Sequence, residues 1–202
     1  SCMVPGLLAA LCLALAGCRS GEKKREVSAA PDLPGIRADG SVLLPNQWSL
    51  RPAGKQALLG DFPVNIAVHP SGRYAAVLHC GYGVQEVVVV EIPSGRTISR
   101  APLEIAFYGL TLSRDGRNLW VSGAASESVH RFRFRDGYLS EPMKVPLRDA
   151  KIRGVPAGLA LDASGTNLYA ANVWGHSVSE VDVPSRKVVR EYALSHSALG
   201  TN

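Results

Sequence analysis

The sequence predicts an all-β fold of repeated sheets, and two features of the chain carry this prediction. Tight turns ending in Ser-Gly or Asp-Gly close at Gly72, Gly116 and Gly165, and a second turn follows each of them 21 to 23 residues later. The segments between the turns are short and rich in β-branched, aromatic and small apolar residues, as strands bounded by turns usually are. A unit that recurs every 44 to 49 residues with four short strands is typical of a β-propeller blade.

Each repeat divides into four predicted strands. They cover residues 64–68, 74–78, 86–91 and 96–99 in the first repeat, 109–112, 119–122, 128–134 and 138–140 in the second, and 158–161, 168–171, 177–183 and 187–192 in the third. The second strands and residues 87–90 are almost continuously apolar, which predicts sheets that are covered on both faces. Residues 130–135 alternate between aromatic and basic types, so one side of that strand should face water.

The chain before and after the three repeats predicts further pieces of the same fold. Residues 41–60 read as the last two strands of a partial blade, the second of them near Ala57-Leu58-Leu59. Residues 61–202 then contain three blades and the start of the next. We therefore expect four-stranded antiparallel blades in an incomplete β-propeller of half a blade plus three blades, whose exposed terminal faces would need further blades to cover them.

The N-terminal segment predicts export and lipid attachment. The predicted signal peptide is residues 1–17. Its apolar run of about 15 residues, too short to span a bilayer comfortably, covers residues 3–17 and leads into Leu15-Ala16-Gly17-Cys18. This end resembles the bacterial lipobox, where the signal peptide is cut before a cysteine that then carries lipid. Residues 18–40 are polar and aperiodic, which predicts a flexible tether. We expect a chain anchored through Cys18 on the periplasmic side of the bacterial envelope, at the outer rather than the inner membrane because Arg19 is not Asp.

Charge and cysteine content exclude several classes of protein. The formal net charge is +5, but the basic residues are scattered and form no block with interleaved aromatic residues, so nucleic acid is not an expected partner. Three of the four cysteines precede residue 19, which leaves only Cys80 in the predicted blades and excludes a disulfide framework. No Cys/His spacing indicates zinc, so no metal site is predicted.

The repeats also resemble those of a known family. Tyr169-Ala170-Ala171-Asn172 followed by residues 177–182 resembles the YVTN-type bacterial propeller repeat, and residues 44–77 with 108–123 are similar to exported proteins that carry such a propeller ahead of an alkaline-phosphatase-type phosphoesterase domain. The resemblance implies a parent ring of seven blades. It also implies that any phosphoesterase activity belongs to a second domain that these residues do not include, so no catalytic residue is carried over.

A binding site is expected where the longer loops gather around the channel of the propeller. Cys80, Phe107 and Glu127 lie on these loops, and Asn65, Gly109 and Gly158 enter the first strands. The predicted ligand or partner face comprises Asn65, His79, Tyr82, Gln85, Tyr108, Arg153, Asn172, Trp174 and His176. His79 and Cys80 are adjacent on a predicted strand and should point to opposite faces, so they are not expected to act as a catalytic pair. Trp174 and His176 are two residues apart and could share a face.

Three functions are compatible with these features. The first is a lipid-anchored module, without catalytic residues or cofactor, that binds a protein or small molecule at the channel. The second is a lactonase-type hydrolase, for which Arg153 and His176 are candidates, although Asp61, Glu127 and Asp182 read as single carboxylates without a partner. The third is a redox-associated propeller, which the absence of a C-x-x-C-H haem attachment motif disfavours.

Overall fold

The computed structural model describes residues 32–149 and 151–194, and the predicted signal peptide with Cys18 lies outside these ranges. Within them the chain forms fifteen β-strands and one short 3-10 helix, Ala124–Ser126. The described residues are therefore nearly all β, as the repeats predict. No helix in this part of the chain is long and apolar enough to cross a bilayer. The chain divides after Ala53 into two compact units.

The first unit carries a small antiparallel sheet of three two-residue strands. These are β1 (Gly35–Ile36), β2 (Val42–Leu43) and β3 (Ser49–Leu50), paired in chain order. The Asp39 carboxylate closes the turn before β2 by accepting hydrogen bonds from the backbone N–H and the hydroxyl of Ser41, at 3.0 and 2.6 Å. β1 lies within the segment that the sequence predicts as a tether. Its residues have no strand pattern of their own, and the turn closed by the Asp39 side chain brings them into pairing with β2.

No strand forms at residues 57–59, where the sequence predicts one. The segment instead lies against the first blade of the second unit. Lys55 Nζ donates to the carbonyl oxygen of Pro93 at 3.0 Å, and the Gly60 N–H donates to His79 Nε2 at 3.2 Å. These two side-chain contacts join the segment to blade 1 at both of its ends.

The second unit consists of three four-stranded antiparallel sheets, each with its strands in chain order. Blade 1 comprises β4 (Pro63–Val68), β5 (Tyr74–His79), β6 (Glu86–Glu91) and β7 (Arg96–Pro102); blade 2 comprises β8 (Leu110–Leu112), β9 (Asn118–Ser122), β10 (Ser128–Arg135) and β11 (Tyr138–Pro146); blade 3 comprises β12 (Pro156–Leu161), β13 (Asn167–Asn172), β14 (Ser177–Asp182) and β15 (Lys187–Ala193). The first strands lie side by side, with β4 against β8 and β8 against β12. This arrangement of successive sheets around their first strands is that of propeller blades, so the predicted fold is confirmed.

The largest difference from the predicted strands is at β11, which runs to Pro146 rather than ending near residue 140. Its pairing with β10 shifts register between Arg131 and Arg133, and Glu141 on β11 has a φ of 47° at this irregularity. Proline in a sequence argues against a strand, and a positive φ interrupts regular strand pairing. Both are tolerated in β11 because it is at the edge of its sheet.

The hairpin turns repeat with the same backbone geometry in all three blades. Gly72, Gly116 and Gly165 have φ values of 70° to 74° and donate to the carbonyl oxygen three residues earlier. In the second set of turns Arg186, with a φ of 60°, adopts the conformation that Gly95 adopts in blade 1. The left-handed conformation is easiest for glycine, which is why the Ser-Gly and Asp-Gly pattern located these turns.

Neighbouring blades bury their facing sides against each other. Ala76, Leu78 and Val87 of blade 1 pack with Leu119 and Val121 of blade 2. On the other side of blade 2, one cluster joins it to blade 3 and comprises Trp120, Val129, Val145, Leu147, Leu168, Ala170 and Val181. Strands β5 and β9 are accordingly buried almost throughout, as the continuous apolar runs predict.

Strand β13 is the exception among the second strands. Leu168 and Ala170 are fully buried against blade 2, whereas Tyr169 is half-buried and Ala171 is exposed. The prediction of burial on both faces is therefore wrong for this strand, because within the described residues only one side of blade 3 has a neighbouring sheet. Blade 1 also has one neighbouring sheet there, but residues 55–60 lie against its other side. Strand β10 alternates as predicted, with Phe132 and Phe134 buried and Arg133 and Arg135 exposed.

Candidate functional site

A cavity of about 360 Å³ opens at the end of the blades opposite the Ser-Gly and Asp-Gly turns. It is lined by the residues that lead into the first strands and by the loops between the second and third strands. Its lining comprises Phe62, Val64, Cys80, Gln85, Ile105, Ala106, Phe107, Tyr108, Ala124, Ala125, Arg153, Val155 and Trp174. All three blades contribute, and a volume in this range suits a small molecule.

The lining is mostly apolar and includes four aromatic side chains. The rings of Phe107 and Tyr108 meet edge to face with their centroids 4.5 Å apart, and Phe62 and Trp174 are the other two. Gln85 is engaged in holding the wall, since its Oε1 accepts a hydrogen bond from the Ala106 N–H at 2.6 Å. The cavity thus offers aromatic surface for stacking and apolar contact.

Several lining residues have a left-handed backbone. Phe62, Tyr108 and Val155 have φ values of 50° to 55°, and Ala124 has a φ of 45°. The first three occupy equivalent places, immediately before the first strand of their blade or one residue further back. Each such conformation costs on the order of 1–3 kcal/mol for a residue other than glycine, and such residues cluster at ligand sites. The strain is greatest for Val155 because it is β-branched.

A buried acidic side chain holds Val155 in place. The Glu127 carboxylate has no exposed surface and accepts the Val155 N–H with both oxygens, at 3.0 and 3.2 Å. It is also 3.7 Å from Nε of Arg148, whose guanidinium donates to Glu191 at 2.8 Å and to Ser179 at 3.0 Å. Glu127, which the sequence presents as a single carboxylate, therefore has an arginine as its partner. Its partner is on a distant loop that the sequence does not connect with it.

Four residues of the predicted face come together at the cavity. Gln85, Tyr108, Arg153 and Trp174 all line it. Asn65 is not in the lining, but its Nδ2 donates to the Tyr108 carbonyl oxygen at 2.6 Å and so supports the strained residue from blade 1.

The structure places the other four predicted residues elsewhere. His79 is fully buried within blade 1, and Asn172 is buried in blade 3, where its Nδ2 donates to the hydroxyls of Ser177 and Ser179. Tyr82 is fully exposed, and His176 is exposed and does not line the cavity that Trp174 lines. Their positions on strand ends and loops are similar to those of the lining residues, so side-chain direction, which the sequence does not give, separates the two groups.

His79 and Cys80 lie in different environments, as strand geometry predicts. Nε2 of His79 accepts from Gly60, and burial lowers the pKa of His79 below its ordinary value, with Glu86 opposing and Arg100 reinforcing that shift. Cys80 lines the cavity, where burial raises the pKa of its thiol. The thiol is therefore protonated at neutral pH and is not an activated nucleophile.

The two glycines predicted near the channel differ in whether a larger side chain would fit at their positions. A Cβ on Gly109 would overlap the carbonyl oxygen of Ala157 and come within 2.7 Å of the Ser122 side chain. A Cβ on Gly158 would have the Cβ of Ala171 as its nearest neighbour, at 3.7 Å. Crowding between blades 2 and 3 therefore explains Gly109 but not Gly158.

Part of the lining was not predicted from the sequence. Phe62 and Val155 are the main omissions, together with Ala124 and Ala125. A usable signal existed, because Phe62 and Val155 each precede a proline that opens a first strand, and Tyr108 precedes the glycine at the same place. Within the described ranges, no group of three or more His, Cys, Asp or Glu side chains is placed to hold a metal ion.

Comparison with known proteins identifies the fold but not a family. No protein-family model matches the chain, and no curated protein matches its sequence. Among solved structures, a protein from Bacteroides uniformis assigned as a 6-phosphogluconolactonase is similar with a TM-score of 0.55 and 18% identity over 77% of this chain and 48% of that one. The calcium-binding protein regucalcin from Agrobacterium tumefaciens is similar with a TM-score of 0.53 and 17% identity over 64% of this chain and 44% of that one.

The hydrazine synthase of Kuenenia stuttgartiensis is also similar, with a TM-score of 0.55 and 17% identity over 71% of this chain and 39% of that one. At these identities the likeness shows the propeller-type fold alone. The chain spans less than half the length of these three proteins.

Proposed function

We propose that this chain is an exported, lipid-anchored propeller module that binds a ligand in the aromatic cavity formed by its three blades. The observation that carries the proposal is the cavity of about 360 Å³, which gathers aromatic side chains from separate blades. The left-handed backbone at Phe62, Tyr108 and Val155 supports it, because the fold bears a cost to place these residues there.

The envelope location of this module rests on residues 1–40. Leu15-Ala16-Gly17-Cys18 supports cleavage before Cys18 and attachment to a membrane through lipid. Metabolic labelling with palmitate in a bacterial host tests this part. Label should be incorporated by the wild type and lost in Cys18→Ala, and equal labelling of the two would contradict the anchor.

The resemblance to YVTN-type proteins supports a role within a larger protein. We propose that the module serves a phosphoesterase-type domain encoded downstream, with its ligand binding separate from that domain's catalysis. Sequencing the gene beyond Asn202 tests this. A reading frame that ends without either further blades or a phosphoesterase domain would contradict it.

A lactonase-type hydrolase is the second candidate, because Arg153 lines the cavity. The cavity is a weaker fit to hydrolysis than to binding, since the described lining includes no carboxylate or imidazole and His176 lies outside it. Hydrolysis of a panel of sugar lactones that is lost in Arg153→Ala would favour the enzyme, and no turnover of any of them would favour the binding module.

Binding in the cavity can be tested with the neutral fluorescent probe N-phenylnaphthylamine. Ala125→Phe fills the cavity with a ring, and Ala163→Phe is its control in the hairpin turn at the opposite end of the blades. We expect the affinity of the probe to fall at least tenfold in Ala125→Phe and to stay unchanged in Ala163→Phe. The bound probe should also protect Cys80 from iodoacetamide, as measured on the Cys80 peptide by mass spectrometry. Equal affinities in the two variants would contradict the cavity as the binding site.

A further inference from the structure

One charged side chain of the cavity lining has no counter-charge within the described part of the chain. Arg153 is the only charged side chain among its described lining residues. Its side chain is exposed, and within residues 32–149 and 151–194 no ion pair or hydrogen bond engages its guanidinium. A guanidinium that borders an apolar cavity and has no partner among the described residues is available to an anionic ligand.

The other arginine of the same loop provides a contrast. Arg148 is 9% exposed and is held by Glu127, Glu191 and Ser179. Glu127 in turn is committed to Arg148 and to the Val155 N–H. The buried acidic group on this side of the cavity is therefore already neutralised, and no counter-charge for Arg153 lies among the residues that the structure describes.

The loop that carries Arg153 is fixed beside the loop that carries Trp174. The Gly154 carbonyl oxygen accepts hydrogen bonds from the N–H groups of Trp174 and Gly175, at 3.0 and 3.1 Å. A Cβ on Gly154 would overlap the Arg148 guanidinium, so the loop packs directly on that side chain. Arg153 and Trp174 are consequently presented to the cavity from two backbone segments that are joined by hydrogen bonds.

From this arrangement we propose that the cavity binds a flat, mostly apolar molecule that carries one anionic group, with its rings against Phe107, Tyr108 and Trp174 and its anion on Arg153. The inference rests on the proposed function and specifies the class of ligand. Aromatic side chains provide surface for a planar apolar body, and guanidinium binds planar anions such as carboxylates through two parallel hydrogen bonds.

Two dyes with related ring systems distinguish the contribution of the anionic group to binding from that of the apolar rings. Anilinonaphthalene sulfonate carries a sulfonate, and N-phenylnaphthylamine has no charge. We expect Arg153→Gln to weaken binding of the sulfonate dye about tenfold or more, because a charge-assisted hydrogen bond is lost, and to change the affinity of the neutral dye less than twofold. The affinity of Arg153→Lys for the sulfonate dye should lie between those of the wild type and Arg153→Gln, since lysine keeps the charge but lacks the planar guanidinium.

Lys151→Gln is the matched control, because it removes the same charge from an exposed residue of the same loop that does not line the cavity. It should leave both dyes bound as in the wild type. Equal weakening of the sulfonate dye by Lys151→Gln and Arg153→Gln would overturn the inference in favour of general charge attraction. Equal weakening of both dyes by Arg153→Gln would overturn it in favour of a loop-positioning role.

The outcomes also separate this inference from the proposed function. If Ala125→Phe abolishes binding of both dyes while Arg153→Gln changes neither, the cavity binds ligands but does not select anions. If Ala125→Phe changes neither dye, the binding site itself is misplaced, and the inference fails with it.

Discussion

Glu127 provides the most direct test of how the candidate site is held together. Its carboxylate is completely buried, accepts the Val155 N–H and faces Arg148, so it joins the loop after β9 to the loop before β12. We expect Glu127→Gln, which keeps the shape of the side chain and removes its charge, to lower the free energy of unfolding. The reason is that Arg148, 9% exposed, loses one of its two negative partners.

The size of the effect follows from these contacts. Removing one member of a buried ion pair typically costs about 3–5 kcal/mol. Two features reduce this value. The glutamine oxygen can still accept from Val155, and Arg148 keeps Glu191 at 2.8 Å and Ser179 at 3.0 Å. The expected loss is therefore about 2–3 kcal/mol.

Equilibrium unfolding in urea, followed by tryptophan fluorescence, measures this loss. Glu141→Gln is the control, because Glu141 pairs with Arg133 at 3.5 Å while both side chains are about half exposed. An exposed pair contributes about 0–1 kcal/mol, so the control should change stability by less than about 1 kcal/mol. In a double-mutant cycle with Arg148→Met, the Glu127→Gln substitution should cost at least about 1 kcal/mol less than in the wild-type background.

Two results would refute this reasoning. If Glu127→Gln destabilises the chain no more than Glu141→Gln, the buried pair contributes little and the loop is held by other contacts. If the two substitutions of the cycle are additive, Glu127 does not act through Arg148.

Two further predictions concern the blades themselves. Burial lowers the pKa of His79 in the folded chain, so the unfolded chain binds more protons below about pH 6.5 and stability should fall as the pH drops from 7 to 5. His79→Gln should reduce that slope in pH-dependent urea unfolding without abolishing it, because burial also lowers the pKa of His130; an unchanged slope would contradict the role of His79. Gly109→Ala should cost about 2 kcal/mol or more, since its Cβ would overlap the Ala157 carbonyl oxygen, whereas Gly158→Ala should leave stability unchanged or raise it by about 0.5 kcal/mol. Equal thermal unfolding midpoints for the two alanine variants would argue against the crowding between blades.

The strands and turns were predictable because their signals are local. Gly72, Gly116 and Gly165 mark turns whose left-handed backbone favours glycine, and the runs between them have the composition of strands. The end of β11 at Pro146 was missed, since an edge strand tolerates a proline and a bulge that sequence patterns treat as interruptions.

The candidate site was only partly predictable. Tyr108, Arg153 and Trp174 were expected on loops near the channel, and they do line the cavity. His79 was expected there too but is buried in blade 1. The sequence identifies a strand end or a loop, whereas the direction of a side chain at that point depends on twist and register.

The sequence by itself determined the repeat, the number of strands per blade and the positions of the tight turns, because each depends on residues close together in the chain. Only the tertiary structure decided that Phe62, Tyr108 and Val155 meet around one cavity, and that Glu127 pairs with Arg148 while Arg153 is in no ion pair with the described residues. These relations join residues from different loops and blades. They arise from the packing of one sheet on the next, which no local pattern encodes.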